Sequence, residues 1–303
     1  MQASRGWIRA FCEILLNLSP IIGHVSAAAA PLERSSTLGE RALTDNIGPT
    51  YIDRELNDKA TWLPTRLDHD VDGRYYPYRE GQHVIGVRDL RGCTAVVIPS
   101  DKGVFVAHVY EIEIFQKGDR HETPQTPQDF LLRSFDELQY GNPSCRGLAT
   151  LIGMDARPGP MHYSNHPEVH VITPGTIDSE RRELHIHTEL RYEQYARILA
   201  HHLNALVRGI TPGGVVKGYI RGTIPAAGSR RGSNGRVFLE YDTNQSERRP
   251  RNPRGRQMLV REGKWRLWVG AEHDEDDSRI FPWRTTEDRS AAGSSSGSRN
   301  PQT

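Results

Sequence analysis

A cysteine and a histidine at a fixed spacing are the residues of this sequence whose chemistry can be argued atom by atom. Gly92-Cys93-Thr94 opens an apolar, β-branched run, and His108 lies in a second such run that begins at Gly103. A thiol with its ordinary pKa of about 8.5 is mostly protonated, and a neighbouring imidazole can accept its proton and stabilise the thiolate. Because such a pair can attack a carboxamide or ester carbonyl, Cys93 and His108 are the candidate catalytic residues.

Strand geometry decides whether these two side chains can meet. The residues between the two runs are typical of a turn, so the segment predicts a β-hairpin. A four-residue loop at 99–102 places Cys93 directly opposite His108, and a two-residue Asp101-Lys102 turn makes the two side chains diagonal neighbours on one face. An odd loop without a bulge sends them to opposite faces. The Cys–His pair therefore depends on the parity of this turn.

Two alternatives for Cys93 involve no catalysis. The chain has three cysteines, Cys12, Cys93 and Cys145. If an N-terminal signal is removed, Cys93 and Cys145 remain, and two cysteines in an oxidising compartment often form a disulfide. Cys93 can also be a small buried residue at the start of a core strand, with His108 as a core histidine. Either alternative favours a secreted binding or effector protein.

The same segment carries a family resemblance. Gly92-Cys93-Thr94, the apolar run, a turn with Gly103 and then His108 resembles the catalytic segment of the cytotoxic necrotizing factor deamidase toxins. It is also similar, at slightly different spacing, to glutamine deamidases of the CheD type. The resemblance implies a β-sandwich flanked by helices, with Cys93 as nucleophile and His108 as base. The implied reaction is deamidation of a protein glutamine, and sometimes transglutamination.

A wider pattern resembles uncharacterised exported proteins of filamentous fungi. It combines the Cys–His segment with the strands that contain Glu240-Tyr241-Asp242 and Trp265–Trp268. This second resemblance names no substrate, so a glutamine side chain of a protein is the partner that the first resemblance implies. We expect no cofactor.

The N-terminus predicts export. Arg5 and Arg9 precede a mostly apolar stretch from Phe11 to Val25, and Ser26-Ala-Ala-Ala-Ala30 offers small residues for cleavage. This order is typical of a signal peptide over residues 1–30, although an ordinary amphipathic helix is the alternative. No other stretch is long and apolar enough to span a membrane. The sequon Asn244-Gln-Ser246 fits the same route, so we expect a secreted, extracellular protein.

Composition divides the rest of the chain. Residues 31–75 are polar and predict an N-terminal segment or linker, whereas residues 286–303 are rich in Ser, Gly and Arg and predict a disordered tail. Between them, residues 76–285 mix strand and helix patterns and predict one domain. The fold class is α+β, as a β-sandwich or strongly bent mixed sheet flanked by two main helices.

Specific elements follow from local patterns. Two helices are predicted, from Thr126 to Gly141 and from Tyr192 to Ile210. Besides the hairpin around Cys93, strands are predicted at Gln82–Val87, Gly147–Met154, Glu168–Thr173, Leu184–Glu189, Val215–Ile220 and Val237–Tyr241. Met258–Val269 predicts a final hairpin that turns at Glu262-Gly263.

Charge and histidine content suggest further sites only weakly. The formal net charge is +1, but residues 230–256 contain eight arginines against three acidic residues. A solvated loop at 226–256 is the favoured interpretation. This loop could also bind an acidic surface, but it lacks interleaved aromatic residues, so we do not expect it to bind nucleic acid.

The histidines suggest a metal site that we do not favour. His185-Ile-His187 has a spacing that suits zinc on a strand, and His162, His166 and His170 could add ligands. A polar solvated face is favoured over this metal site.

Overall fold

The computed structural model describes residues 56–66, 69–111, 126–175, 190–209, 213–219, 235–250, 258–270 and 277–287. Contacts divide the chain into Met1–Thr37 and Leu38–Thr303, and every described residue belongs to the second unit. The predicted signal peptide, the strand at Leu184–Glu189 and residues 288–303 of the predicted tail lie outside the described residues, whereas the first two residues of that tail, 286 and 287, end the last strand.

The described chain contains four α-helices and fourteen strands. The helices are α1 (Asn57–Lys59), α2 (Pro127–Tyr140), α3 (Leu148–Ile152) and α4 (Glu193–Arg208), with a 3-10 turn at Tyr163–Asn165. The strands are β1 (Ala60–Trp62), β2 (Val71–Pro77), β3 (Gln82–Val87), β4 (Thr94–Pro99), β5 (Gly103–Val109), β6 (Gly141–Asn142), β7 (Cys145–Arg146), β8 (Gly153–Met154), β9 (Arg157–Pro158), β10 (His170–Pro174), β11 (Val215–Tyr219), β12 (Val237–Arg248), β13 (Met258–Val269) and β14 (Ser278–Glu287).

Two mixed sheets carry most of these strands. The seven-stranded sheet has the order β11-β10-β4-β5-β2-β7-β6, and the five-stranded sheet has the order β1-β3-β12-β13-β14. Strands β10 and β11, β2 and β7, and β1 and β3 pair in parallel, whereas the other neighbours in these sheets are antiparallel. Strands β8 and β9 form a separate two-stranded sheet.

The seven-stranded sheet lies between two apolar cores. On one face, Val96 and Phe105 pack with helix residues such as Leu199. On the other face, Val97 and Val106 pack against residues of the five-stranded sheet such as Trp265, Leu239 and Leu267. The molecule therefore has a layer of helices, a middle sheet and a second sheet, which confirms the predicted α+β sandwich flanked by two main helices.

Both main helices follow their predicted signals. The Thr126 hydroxyl accepts a hydrogen bond from the Asp129 backbone N–H at 3.1 Å, and Pro127 is the first residue of α2. Helix α2 ends before Gly141, whose φ of +87° suits glycine. Helix α4 buries one stripe of side chains against the middle sheet, because these recur at helical spacing: Ala196, Leu199, Ala200, Leu203 and Val207.

The domain begins earlier than the predicted boundary at residue 76. Strand β1 pairs in parallel with β3, and Leu63 is buried between the two sheets. Strand β2 starts at Val71, and both Val71 and Asp72 have no exposed surface. The described residues of the predicted linker, 56–66 and 69–75, are thus part of the sandwich. Their polar character misled the prediction because Asp72 is buried with hydrogen-bond partners rather than solvated.

The predicted hairpin at Met258–Val269 is one continuous strand. Strand β13 pairs with β12 from Val260 to Val269 and with β14 from Met258 to Arg266, and the β14 pairing shifts register between Arg261 and Glu262 without ending the strand. Gly263 therefore marks no turn; a Cβ atom at this position would overlap the ring of buried Phe281, so glycine is needed for the close approach of β14. Glycine in a strand pattern is an ambiguous signal for this reason.

The predicted strand at Gly147–Met154 is mostly helical. Residues Leu148–Ile152 form α3, with Gly147 before its first residue and Gly153 after its last. The apolar residues suit either structure, because Leu148 and Leu151 are both buried at a spacing that a helix turn also satisfies.

Candidate active site

The β4–β5 hairpin places Cys93 and His108 on one face. Ala95 pairs directly with His108, and the Ser100 backbone N–H donates to the Gly103 carbonyl at 2.8 Å, which leaves a two-residue Asp101-Lys102 turn. Extending this register puts Cys93 opposite Tyr110, so Cys93 and His108 are diagonal neighbours. The turn has the parity that the predicted pair requires, and the shared face is the one that packs on the five-stranded sheet.

Cys93 is a free, half-buried thiol. Burial raises the pKa of Cys93 to about 11, and the charge of Glu111 acts in the same direction. Backbone amides of Glu111, Arg91 and Cys93 itself lie near the sulfur and lower the pKa, because they favour the thiolate. At neutral pH the resting sulfur is therefore a protonated thiol with hydrogen-bond donors already placed around it.

The main chain around Cys93 is held from both sides. The Tyr219 hydroxyl, on β11, donates a hydrogen bond to the Cys93 carbonyl at 2.7 Å. Next to it, Gly92 leaves room for the Glu111 carboxylate, which a Cβ atom would overlap. That carboxylate pairs with Arg191 at 2.7 Å and accepts a hydrogen bond from the Tyr192 hydroxyl. Gly92 and the two residues before α4 therefore position the Glu111 carboxylate beside the main chain of Cys93.

His108 is almost completely buried, with 2% of its surface exposed. Its ring stacks on Tyr110 with centroids 4.5 Å apart, and neither ring nitrogen has a hydrogen-bond partner. Burial lowers the pKa of His108 to about 4, against a smaller opposing effect of the Asp89 charge. The resting site thus holds a neutral imidazole beside a neutral thiol, with no proton yet transferred.

A buried carboxylate outside the predicted Cys93–His108 pair lies on the neighbouring strand. Asp72 lies on β2 directly opposite His108 and has no exposed surface. Its Oδ2 atom accepts hydrogen bonds from the Tyr110 hydroxyl and from the Arg66 backbone N–H, each at 2.6 Å. Its Oδ1 atom has no partner. Asp72 was missed because it falls in the segment that was predicted as a linker.

The disulfide alternative is excluded by the position of the second cysteine. Cys145 is buried in the core between the middle sheet and the helices, where its sulfur packs against Gly73. Cys93 contacts the core on the other face of that sheet. Both cysteines are free, and the seven-stranded sheet separates their sulfurs.

The described histidines are dispersed. The His162 ring lies between Ser164 and Asp155, at 2.8 and 3.1 Å, and His166 pairs with Asp101 at 2.8 Å. His170 is buried between the sheets. Within the described ranges, no three His, Cys, Asp or Glu side chains are grouped to hold a metal ion. His185 and His187 lie outside those ranges.

The described part of the arginine-rich segment is structural. Arg248 pairs with Glu262 at 2.5 Å across β12 and β13, and Arg236 donates to Asn57 at 2.5 Å. The other arginines of the predicted loop, except Arg249, lie outside the described residues: Arg230, Arg231, Arg251, Arg254 and Arg256. Among the described helices, none has the length and apolar character needed to cross a membrane.

A scan of protein-family models and a search of curated proteins both returned no match. A function for this chain therefore has to be argued from its own residues.

Proposed function

We propose that this protein is a secreted cysteine hydrolase that deamidates glutamine side chains of proteins, with Cys93 as nucleophile and His108 as general base. The observation that carries the proposal is the placement of a free thiol and an imidazole as diagonal neighbours on one face of the β4–β5 hairpin. Glutamine as the substrate comes from the resemblance of the Gly92-Cys93-Thr94 segment to deamidase toxins. Export comes from the N-terminal pattern.

The reaction uses the two side chains in turn. The Cys93 sulfur attacks the side-chain carbonyl carbon of glutamine while His108 accepts the thiol proton. The imidazolium then gives this proton to the amide nitrogen, so the C–N bond breaks, ammonia leaves and a thioester remains on Cys93. Water attacks the thioester as His108 takes its proton, the C–S bond breaks, and the sulfur recovers the proton. The products are glutamate and ammonia.

The surroundings of Cys93 suit this chemistry. Backbone amides near the sulfur stabilise negative charge, which develops on the sulfur before attack. The Tyr219 hydrogen bond to the Cys93 carbonyl limits movement of the nucleophile. No step requires a cofactor. An acidic surface on the substrate protein could meet the arginine-rich segment.

Ammonia release tests the proposal. The purified protein is incubated with a panel of glutamine-rich proteins, and ammonia is measured together with the mass increase of about 1 Da for each converted glutamine. The matched variants are Cys93→Ser and Cys145→Ser. We expect Cys93→Ser to lose at least about 100-fold in rate, since the nucleophile is removed, and Cys145→Ser to retain activity.

A non-catalytic binding protein is the second candidate, favoured by the burial that keeps both groups neutral. It predicts equal ammonia release by the wild type and Cys93→Ser on every substrate. It also predicts that His108→Gln leaves the reactivity of the Cys93 thiol at pH 7 unchanged. Either result would remove the hydrolase from consideration.

A further inference from the structure

Two buried residues with unpartnered polar atoms are paired across strands β2 and β5. Asp72 and His108 are directly paired residues of β2 and β5, and both side chains are buried. Asp72 Oδ1 and both ring nitrogens of His108 have no hydrogen-bond partner. A buried polar atom left without a partner is destabilising, so native structures rarely keep several in one place without a reason.

The distance between the strands allows the two groups to meet. Directly paired residues of antiparallel strands have Cβ atoms about 4.5–5.5 Å apart, which a carboxylate and an imidazole can bridge by side-chain rotation. The Oδ2 atom of Asp72 is fixed by hydrogen bonds from the Tyr110 hydroxyl and the Arg66 backbone N–H, which leaves Oδ1 available for the imidazole. Tyr110 also stacks on the His108 ring, so one residue contacts both groups.

We propose that Asp72 is the positioning residue of the Cys93–His108 site: its Oδ1 atom accepts a hydrogen bond from one ring nitrogen of His108 and leaves the other nitrogen for the Cys93 thiol. This inference rests on the proposed function. In the resting structure the bond is open, and it forms as the imidazole gains the proton of the thiol.

The chemistry of the site needs such a group. Burial makes His108 a weak base and Cys93 a weak acid, so proton transfer between them is unfavourable without a stabilising charge. A carboxylate that bonds the imidazolium supplies this charge and fixes the ring orientation. Among the titratable groups, Asp72 on β2 is paired with His108, Tyr110 stacks on its ring, the charge of Asp89 in the β3–β4 connection acts on it, and the hairpin register makes Cys93 its diagonal neighbour.

Asp89 is a weaker candidate for the same role. Its side chain is 65% exposed and pairs with Arg88 at 3.6 Å. Solvent and the guanidinium both screen its charge, whereas Asp72 is fully buried. Asp89→Asn therefore provides a matched control for Asp72→Asn, because both remove one carboxylate charge near the ring.

The test measures alkylation of Cys93 by iodoacetamide as a function of pH and needs no substrate protein. The rate is followed by mass spectrometry of the Cys93 peptide, with the Cys145 peptide as internal reference. At pH 7, we expect alkylation to be at least about tenfold slower in Asp72→Asn and in His108→Gln than in the wild type, because the base has lost its orientation or is absent. Asp89→Asn stays within about twofold.

The pH dependence of the alkylation rate distinguishes a positioning role of Asp72 from a purely structural one. As the pH rises to the pKa of Cys93, about 11, hydroxide deprotonates the thiol directly, so the rates of all variants should converge to within about threefold. If Asp72→Asn instead speeds alkylation of both cysteines at every pH, the residue is only structural. If Asp72→Asn matches the wild type while His108→Gln is slow, this inference fails and the proposed hydrolase stands. If His108→Gln also matches the wild type, the Cys–His site itself fails.

Discussion

Cys93 and Cys145 are both free thiols, but they lie on opposite faces of the middle sheet. One is half-buried at the start of a strand that faces the second sheet, and the other is 3% exposed beneath the helices. The sequence identified Cys93 and His108 because their spacing and the turn between them follow local rules of strand alternation. It could not identify Asp72 as part of the site, because β2 and β5 pair only in the folded protein. Asp72 and His108 are more than thirty positions apart in the chain.

The number of thiols that react in the native protein tests this difference in burial between Cys93 and Cys145. We expect the native protein to react with Ellman's reagent at Cys93, while Cys145 reacts only after unfolding, because the sheet and helices cover its sulfur. The measurement compares native and denatured protein without reductant, in Cys93→Ser and Cys145→Ser variants. A denatured, unreduced wild type in which neither thiol reacts would show that a disulfide forms after all.

At the level of elements, the sequence predicts strands well where alternation decides them, and poorly at a mid-strand glycine or in a short apolar run such as Leu148–Ile152, which is helical. The hairpin β4–β5 and the helices α2 and α4 match their patterns closely. The pattern at Gly263 predicts a turn, but Gly263 lies in mid-strand, where Phe281 approaches the backbone. This close approach is made by β14, which lies beside β13 only in the folded sheet. The residues around Gly263 therefore cannot predict it.

The outer face of the five-stranded sheet buries an ion pair that should be important for stability. Glu240 on β12 accepts hydrogen bonds from Arg266 at 3.3 Å and from the Trp268 indole at 3.2 Å, and both charged side chains are at most 1% exposed. We expect Glu240→Ala to lower the free energy of unfolding by about 3–5 kcal/mol, since it leaves a buried guanidinium without its carboxylate.

Glu247→Ala provides the control on the same two strands. Glu247 pairs with Arg261 at 3.1 Å, but both side chains are partly exposed. This substitution should cost no more than about 1 kcal/mol. Urea denaturation of both variants measures the difference, and equal losses would contradict the assigned burial of the Glu240–Arg266 pair.

At the level of the whole molecule, two buried histidines link stability to pH. His108 and His170 are both covered when the two sheets pack, and burial lowers the pKa of each to about 4. For His170, the nearby Lys217 charge acts in the same direction. In the unfolded chain each ring has an ordinary pKa of about 6.5, so the unfolded state binds protons that the folded state excludes.

Stability should therefore be greatest above pH 6.5 and fall as the pH is lowered towards 4. Between these values each histidine contributes up to about 1.4 kcal/mol per pH unit. The test compares urea denaturation of the wild type and His170→Leu from pH 7 to pH 4. We expect a shallower slope for the variant, whereas parallel curves would mean that His170 does not titrate with a lowered pKa.

Strand β1 and the residues that follow it have a practical consequence for protein production. A recombinant fragment that starts at residue 76 would lack β1, Leu63 and the first five residues of β2, including Asp72. Strand β3 would then become an exposed edge strand of the five-stranded sheet, and such a strand pairs readily with other copies of the protein. Such a fragment should aggregate when expressed, and its soluble portion should lack activity even though the Cys93–His108 hairpin is intact.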